Sequence, residues 1–78
     1  MKMIIYLVIS NGDVNGEVDG AYFKYGDAKA KFDEIKQNWL DYAKDSNYDY
    51  EDEDDYFSIT NFDTDEFMEV RIEDLLVE

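Results

Sequence analysis

Residues 26–45, GDAKAKFDEIKQNWLDYAKD, carry the pattern that decides the fold of this 78-residue chain. Apolar side chains recur there at spacings of three and four, which is the period of one face of a helix. Asp27 precedes the pattern and is a residue type that caps helix N-termini. The sequence therefore predicts a helix over residues 27–45 that packs on a sheet through one apolar stripe. The residues facing the sheet are predicted to be Phe32, Ile35 and Trp39.

The stretch before the helix predicts a β-hairpin. Residues 3–10, MIIYLVIS, are rich in β-branched and aromatic residues, and their nearly continuous hydrophobicity is typical of an interior strand. Asn11-Gly12-Asp13 and Asn15-Gly16 are candidate turns. Residues 17–24 are the predicted returning strand, in which Gly20 indicates a bulge or a close backbone approach.

The stretch after the helix predicts a second hairpin. Residues 46–55 are strongly acidic and predict a loop, followed by a strand at 56–62, a turn at 63–66 and a strand at 67–72. The last strand alternates, with Met68, Val70 and Ile72 on one face and Phe67, Glu69, Arg71 and Glu73 on the other. The final EDLLVE either extends this strand or forms a helical turn. Residues 1–78 are thus predicted to be a single α+β domain, a hairpin–helix–hairpin with one helix on an antiparallel sheet of about four strands.

The composition and motifs of the chain argue against catalytic, phosphate-binding and metal sites. The chain has no cysteine and no histidine, so it lacks the usual thiolate ligand and the usual general base. No motif activates a serine nucleophile, and no glycine-rich loop opens a helix to hold phosphate. The acidic run lacks the glycine of a calcium loop. We therefore expect no enzyme activity, no catalytic or metal site and no cofactor. The longest apolar run is too short for a membrane span, and we expect a cytoplasmic protein.

The negative charge is confined to the second half of the chain. Residues 1–44 hold seven acids and six lysines, a net charge of −1. Residues 45–78 hold fourteen acids and one arginine, a net charge of −13. An adaptation for solubility alone would not leave half of the protein nearly neutral, so the asymmetry indicates a surface with a function.

Tyrosines accompany the acids, and aromatic side chains suit an interface anchor. Carboxylates on one face of a strand recur at roughly 6.6–6.8 Å. This spacing is close to the distance of about 7 Å between successive phosphates of one nucleic-acid strand. The predicted partner is a basic nucleic-acid-binding protein or nuclease complex, and binding to nucleic acid itself is disfavoured. The predicted partner-binding residues are Tyr48, Asp49, Tyr50, Glu51, Asp52, Glu53, Asp54, Asp55, Asp63, Asp65 and Glu66.

The length, the charge and the tract NYDYEDEDDY at residues 47–56 resemble small acidic phage proteins that inhibit host nucleic-acid machinery. These include anti-CRISPR proteins and anti-restriction DNA mimics. The resemblance implies an inhibitor that occupies the nucleic-acid groove of a CRISPR-Cas or restriction complex in the host cytosol. In addition, residues 3–36, with the order strand, turn, strand that ends in GAYFKYGDAKAKFDEI at residues 20–35, are similar to small phage proteins without an assigned function.

Two alternatives remain open from the sequence. The chain is either such a mimic or a general phage or bacterial adaptor module whose acidity only keeps it soluble. An adaptor would pair with its partner through a sheet edge, and its binding would depend little on salt, whereas mimicry depends on salt steeply. A chaperone of a basic partner is not distinguished from an inhibitor at this stage.

Overall fold

The computed structural model describes residues 3–11 and 17–77. Within these residues five antiparallel strands form one sheet, and a single helix covers one of its faces. Along the sheet the strands lie in the order β2-β1-β5-β4-β3. In chain order the elements are β1 (Met3–Asn11), β2 (Glu17–Tyr22), α1 (Tyr25–Ala43), β3 (Tyr48–Asp52), β4 (Tyr56–Asn61) and β5 (Glu66–Val77).

The predicted α+β class, with one helix on an antiparallel sheet, is confirmed, but the predicted number of strands is wrong. The additional strand is β3, which lies in the acidic stretch that the sequence predicted to be a loop. Aspartate and glutamate are poor strand formers, and six acids in seven residues hide the alternation of this stretch. Pairing with β4, from Tyr48 opposite Asn61 to Asp52 opposite Phe57, overrides that local preference.

The helix begins two residues before the predicted start and ends two residues before the predicted end. Its N-cap position is Lys24, whose side chain makes no capping hydrogen bond. Asp27 therefore lies in the first turn, where a carboxylate is favoured by the partial positive charge of the helix N-terminus. The prediction of Asp27 as the cap residue was wrong, although the acid stabilises the same end.

β5 is a long strand, and residues 73–77, EDLLV, extend it beyond the predicted end at residue 72. It pairs with β1 from Asn11 opposite Glu69 to Met3 opposite Val77. β4 accompanies only its first half, from Asn61 opposite Glu66 to Tyr56 opposite Arg71. The second half of β5 is thus a strand because β1 pairs with it along the whole of residues 69–77. It occupies the centre of the sheet, and β1 is an interior strand as predicted.

The core lies between the helix and the sheet face that it covers. Its fully buried residues are Val8, Ala28, Phe32, Ala43, Phe57, Ile59 and Val70. Ile35 and Trp39 are half-buried and pack against this cluster, together with Met68 and Ile72. The predicted sheet-facing residues of the helix are therefore confirmed, as is the predicted alternation of β5.

The β1–β2 pair contains the bulge that Gly20 indicated. Val8 lies opposite Gly20, whereas Ile9 lies opposite Val18, so Asp19 is the additional residue. A Cβ atom on Gly20 would lie 2.6 Å from the hydroxyl oxygen of Tyr22, whose ring covers this position. Glycine is thus required for the close approach. The predicted turn positions from Gly12 to Gly16 lie outside the described residues.

Candidate functional site: an acidic hairpin and the open face of the sheet

The sheet face opposite the helix, here called the open face, carries a shallow groove above β4. Small hydroxyl residues form its floor because Ser58 and Thr60 point away from the helix and alternate with the buried residues Phe57, Ile59 and Asn61. Asp49 lies opposite Thr60, and Glu51 lies opposite Ser58, so the carboxylates of β3 form one wall. Residues on the other sides of the groove are Tyr56 and Phe67.

A second group of charges lies across the groove, on β5. Glu69 accepts a hydrogen bond from the hydroxyl of Tyr56 at 2.8 Å and one from Nδ2 of Asn11 at 3.1 Å. The Tyr56 contact with the carboxylate raises the pKa of the tyrosine, and burial adds to this effect. Arg71 Nε donates to Glu73 at 2.7 Å, and its guanidinium lies 3.7 Å from Glu69. The single arginine of the chain is thus engaged with glutamates of its own strand.

β3 divides its acids between the two faces of the sheet. Asp49 and Glu51 belong to the open face and are exposed. Asp52 points to the helix side, where its carboxylate lies 3.0 Å from Nζ of Lys36. This ion pair connects the edge strand to α1. Because both groups remain partly exposed, we expect it to contribute at most about 1 kcal/mol to stability.

The loop after β3 is attached to the beginning of the helix. The hydroxyl of Tyr25 donates to the Asp55 carboxylate, and Nζ of Lys29 donates to the Asp54 carbonyl. The hydrogen bond to Asp55, followed by burial and nearby acids, raises the pKa of Tyr25 to about 12. The backbone NH of Ile72 donates to the Asp55 carbonyl at 2.9 Å. These contacts leave the carboxylates of Glu53 and Asp54 exposed at the tip.

The turn between β4 and β5 uses its acids to stabilise local structure. Asp63 accepts hydrogen bonds from the backbone NH and from Nδ2 of Asn47, both at 3.1 Å. Asp65 has a φ of 58°, a conformation that aspartate tolerates better than most residues do. Glu66 accepts from the hydroxyl of Tyr42 at 3.3 Å. Asp63 and Glu66 thus have structural partners.

The predicted partner-binding residues do not form one cluster. Glu53, Asp54 and Asp55 lie at one end of β4, and the acids of the 62–65 turn lie at the other end, roughly 17 Å away by the strand rise. The predicted joint use of both groups would require a partner that spans the length of the hairpin. Asp49 and Glu51 lie between the two groups, along the edge strand.

The two tyrosines predicted as anchors lie on the helix side of β3. Tyr48 is half-buried and packs against the core, so it has a structural role, and its predicted part in partner binding stays a prediction. Tyr50 is 53% exposed, and its ring centroid lies 6.1 Å from that of Phe57 and 6.2 Å from that of Tyr48. Of the pair, only Tyr50 presents a large part of its ring to solvent.

The groove itself was not predicted from the sequence. Its floor and its aromatic side come from Tyr56, Ser58, Thr60 and Phe67, none of which was a predicted site residue. The sequence did contain a pattern that indicates an open sheet face here. In residues 56–60, Ser58 and Thr60 alternate with the apolar residues Phe57 and Ile59. This alternation indicates a groove only because β3 lies beside β4, and the sequence did not predict β3.

The fold and this surface define a class of protein: a small acidic α+β protein with one helix and an open, negatively charged sheet face. No protein-family model, no curated protein and no solved structure matches the chain. Within the described residues, no helix is long and apolar enough to cross a membrane. The carboxylates in the same part of the chain form no group of three or more that could hold a metal ion.

Proposed function

We propose that this protein is a non-enzymatic inhibitor that occupies the basic nucleic-acid-binding groove of another protein. The observation that carries the proposal is the acidic rim, defined as the exposed carboxylates along β3 and its loop. No basic residue separates these side chains along the sequence, and Lys36 and Lys29 reach this strand and loop from the helix side, at Asp52 and at the Asp54 carbonyl. The acidic rim consists of Asp49, Glu51, Glu53 and Asp54.

The spacing of the rim supports mimicry of a phosphate backbone. Asp49 and Glu51 lie on one face of β3 two residues apart, which corresponds to roughly 6.6–6.8 Å. Glu53 and Asp54 continue the line beyond the end of the strand. A row of carboxylates at this spacing presents acceptors to lysine and arginine side chains that otherwise contact successive phosphates.

The distribution of charge across the two layers also supports the proposal. On the helix, Lys29 lies 3.6 Å from Asp33, and Lys31 lies 3.7 Å from Glu34. The helix layer is thus nearly compensated, whereas residues 45–78, which form β3, β4 and β5, carry a net charge of −13. Such a separation orients the sheet edge towards a positively charged partner and accelerates their association.

The groove beside the rim suits a guanidinium group. Ser58 and Thr60 provide hydroxyl acceptors on the floor, and Glu51 provides a carboxylate on the wall. Tyr56 and Phe67 contribute aromatic rings, against which arginine stacks more readily than lysine does. The resemblance of the sequence to small acidic phage inhibitors supports a host defence nuclease, of CRISPR-Cas or restriction type, as the target.

The test uses the immobilised protein to capture partners from a bacterial lysate, followed by mass spectrometry. We expect a nucleic-acid-binding protein that duplex DNA displaces and that elutes as salt is raised. A variant with Asp49→Asn, Glu51→Gln, Glu53→Gln and Asp54→Asn should bind it at least about tenfold more weakly, because charge pairing across the interface is lost.

The matched control neutralises four helix acids by Asp27→Asn, Asp33→Asn, Glu34→Gln and Asp41→Asn. Both variants change the net charge by the same amount, and neither removes a buried group. The helix variant should retain nearly full binding. Equal losses from both variants would show that only net charge matters, and retention of the partner by the rim variant would refute the proposal.

A further inference from the structure

The second half of β5 has an unpaired edge. β4 ends its pairing with β5 at Arg71, and the NH of Ile72 donates to the Asp55 carbonyl in the adjoining loop. Beyond it, residues 73–77, here called the β5 edge segment, pair with β1 on one side. On the other side the described part of the chain places no strand. In an antiparallel strand the backbone NH and C=O groups of every second residue point to the same neighbouring strand. The NH of Ile72 points away from β1, so the NH and C=O groups of Asp74 and Leu76 also point to the vacant side.

The same segment is the main concentration of exposed aliphatic side chains among the described residues. Leu75 and Leu76 are 50% and 52% exposed, and Val77 is exposed as well. Met3 and Ile4 of β1, which lie beside them, are also exposed. The helix begins above Tyr6, where the ring of Tyr25 packs against the tyrosine edge to face. Within the described residues, no other element covers either face of the β1–β5 ribbon below this level.

The shape of the molecule agrees with a projecting ribbon. The Cα radius of gyration is 13.7 Å, whereas a compact chain of this length has about 11.5 Å. The longest extent is 49 Å, more than twice the next. By contrast, the outer edge strand β3 carries acids, which is the usual protection of a sheet edge against pairing. In the β5 edge segment, Glu73 and Asp74 give such protection at one end only, and Leu75, Leu76 and Val77 lack it.

We infer that the β5 edge segment binds the same segment of a second copy of this chain, in antiparallel orientation about a twofold axis at Leu75. With Leu75 opposite Leu75, Asp74 lies opposite Leu76 and Glu73 lies opposite Val77, so no acid faces an acid. The NH and C=O groups of Asp74 then form hydrogen bonds with those of Leu76 in the second copy, and the reverse. These are the backbone groups that already point to the vacant side. Moving the axis to Asp74 would place two aspartates opposite each other.

The second copy is favoured over a different partner because the segment supplies its own complement. Both halves of the interface are apolar at the axis, and the backbone groups match in register. A basic partner would be selected by the acidic rim instead, which lies on another edge of the sheet. The interface is small, below the roughly 800 Å² per partner of a standard complex, and each copy has a net charge of −14. The dimer is therefore weak and becomes stronger when salt screens the repulsion.

The absence of cysteine from the chain permits a direct test with Leu75→Cys. Residues directly opposite in a non-hydrogen-bonded pair have Cα atoms about 4.5 Å apart, within the range that a disulfide spans. Under mild oxidation at high salt, Leu75→Cys should form a covalent dimer at least about tenfold faster than Val18→Cys. Val18 is an exposed residue on another strand and serves as the control.

A second measurement uses the unmodified protein and the variant Leu76→Pro in sedimentation equilibrium. Raising NaCl to about 0.5 M should increase the dimer fraction of the parent, which is opposite to the effect on binding to a basic groove. Leu76→Pro removes an NH that faces the vacant side, so it should keep the monomer folded by circular dichroism and abolish the dimer. Equal cross-linking of the two cysteine variants, or a parent that stays monomeric at high salt, would overturn the inference. These outcomes do not depend on the acidic rim and leave the proposed function untouched.

Discussion

At the scale of single residues, several acids of the second half act as local structural partners. Asp52 pairs with Lys36, Asp55 accepts from Tyr25, and Asp63 accepts twice from Asn47. The pairs with Lys36 and Tyr25 attach the β3 hairpin to the helix, and Asp63 attaches the turn to the start of β3. These three acids stay exposed, but their contacts with the helix and the turn distinguish them from the four acids of the rim.

The Tyr25 contact predicts a loss of stability at alkaline pH. The hydrogen bond to Asp55 requires the protonated phenol, whose pKa is about 12 in the folded protein against 10.0 ordinarily. Between about pH 10 and 12 the unfolded chain therefore loses a proton that the folded chain keeps, and the free energy of unfolding falls with pH. Below pH 10 this contribution is fully present.

Absorbance titration of the tyrosines in the parent and in Tyr25→Phe checks this prediction. Because the pKa of Tyr56 is raised as well, the parent should show one more late-titrating tyrosine than the variant, and the free energy of unfolding of the variant should fall less steeply over the same interval. If the variant and the parent lose stability in parallel above pH 10, the Tyr25–Asp55 contact has no energetic role.

At the scale of elements, the helix and β4 provide most of the buried aromatic surface. Phe32 is fully buried, whereas Trp39 is half-buried and lies with its ring centroid 6.3 Å from that of Phe57. Nζ of Lys36 lies 5.9 Å from the centroid of Phe57, on the same side of the sheet. The extent of burial predicts that Phe32 contributes more to the free energy of unfolding than Trp39 does. The spacing of these residues in the sequence does not reveal this difference.

Phe32→Ala should lower the free energy of unfolding by about 3–5 kcal/mol, since it removes a fully buried ring and leaves a cavity. Trp39→Ala should cost less, because part of the indole already contacts solvent. Urea denaturation followed by circular dichroism measures both. At a total stability of about 4–12 kcal/mol the Phe32 variant is close to unfolding. A larger loss for Trp39→Ala would show that the helix is rotated about its axis relative to this packing.

At the scale of the whole molecule, the net charge of −14 opposes the compact state. The carboxylates are concentrated on β3, on β5 and in the loops at the two ends of β4, so their mutual repulsion is greater than the same charge would cause if spread evenly. The helix layer, with its lysines and acids in pairs, contributes little to this repulsion.

Raising NaCl from about 0.02 to 0.5 M should therefore increase the melting temperature of the dilute monomer, because the Debye length falls to a few ångströms. The rim variant, with four carboxylates neutralised, should show a smaller increase than the parent. Thermal melts followed by circular dichroism at low protein concentration give both values. A melting temperature that is independent of salt would mean that the carboxylates do not repel one another appreciably in the folded state.

The sequence by itself determined the α+β class, the helix, the strands rich in β-branched and aromatic residues, and the alternation of β5. Each of these depends on periodicity or turn chemistry within a short window, and Phe32 and Val70 occupy core positions that such periodicity indicates. The concentration of acid in residues 45–78 was equally evident from composition.

Two features became evident only from the tertiary structure: residues 48–52 form a strand, and Tyr48 packs against the core. The division of the acids also depends on it, because the rim acids are exposed while Asp52, Asp55 and Asp63 bind other parts of the chain. β3 forms because β4 offers it a complete set of backbone partners, a gain that local propensity does not contain. β5 extends beyond the end of its pairing with β4 for the same reason, because β1 provides backbone partners as far as Val77. The groove and the vacant edge arise from which strands lie side by side and where each one ends, and such contacts between distant residues are invisible to a local pattern.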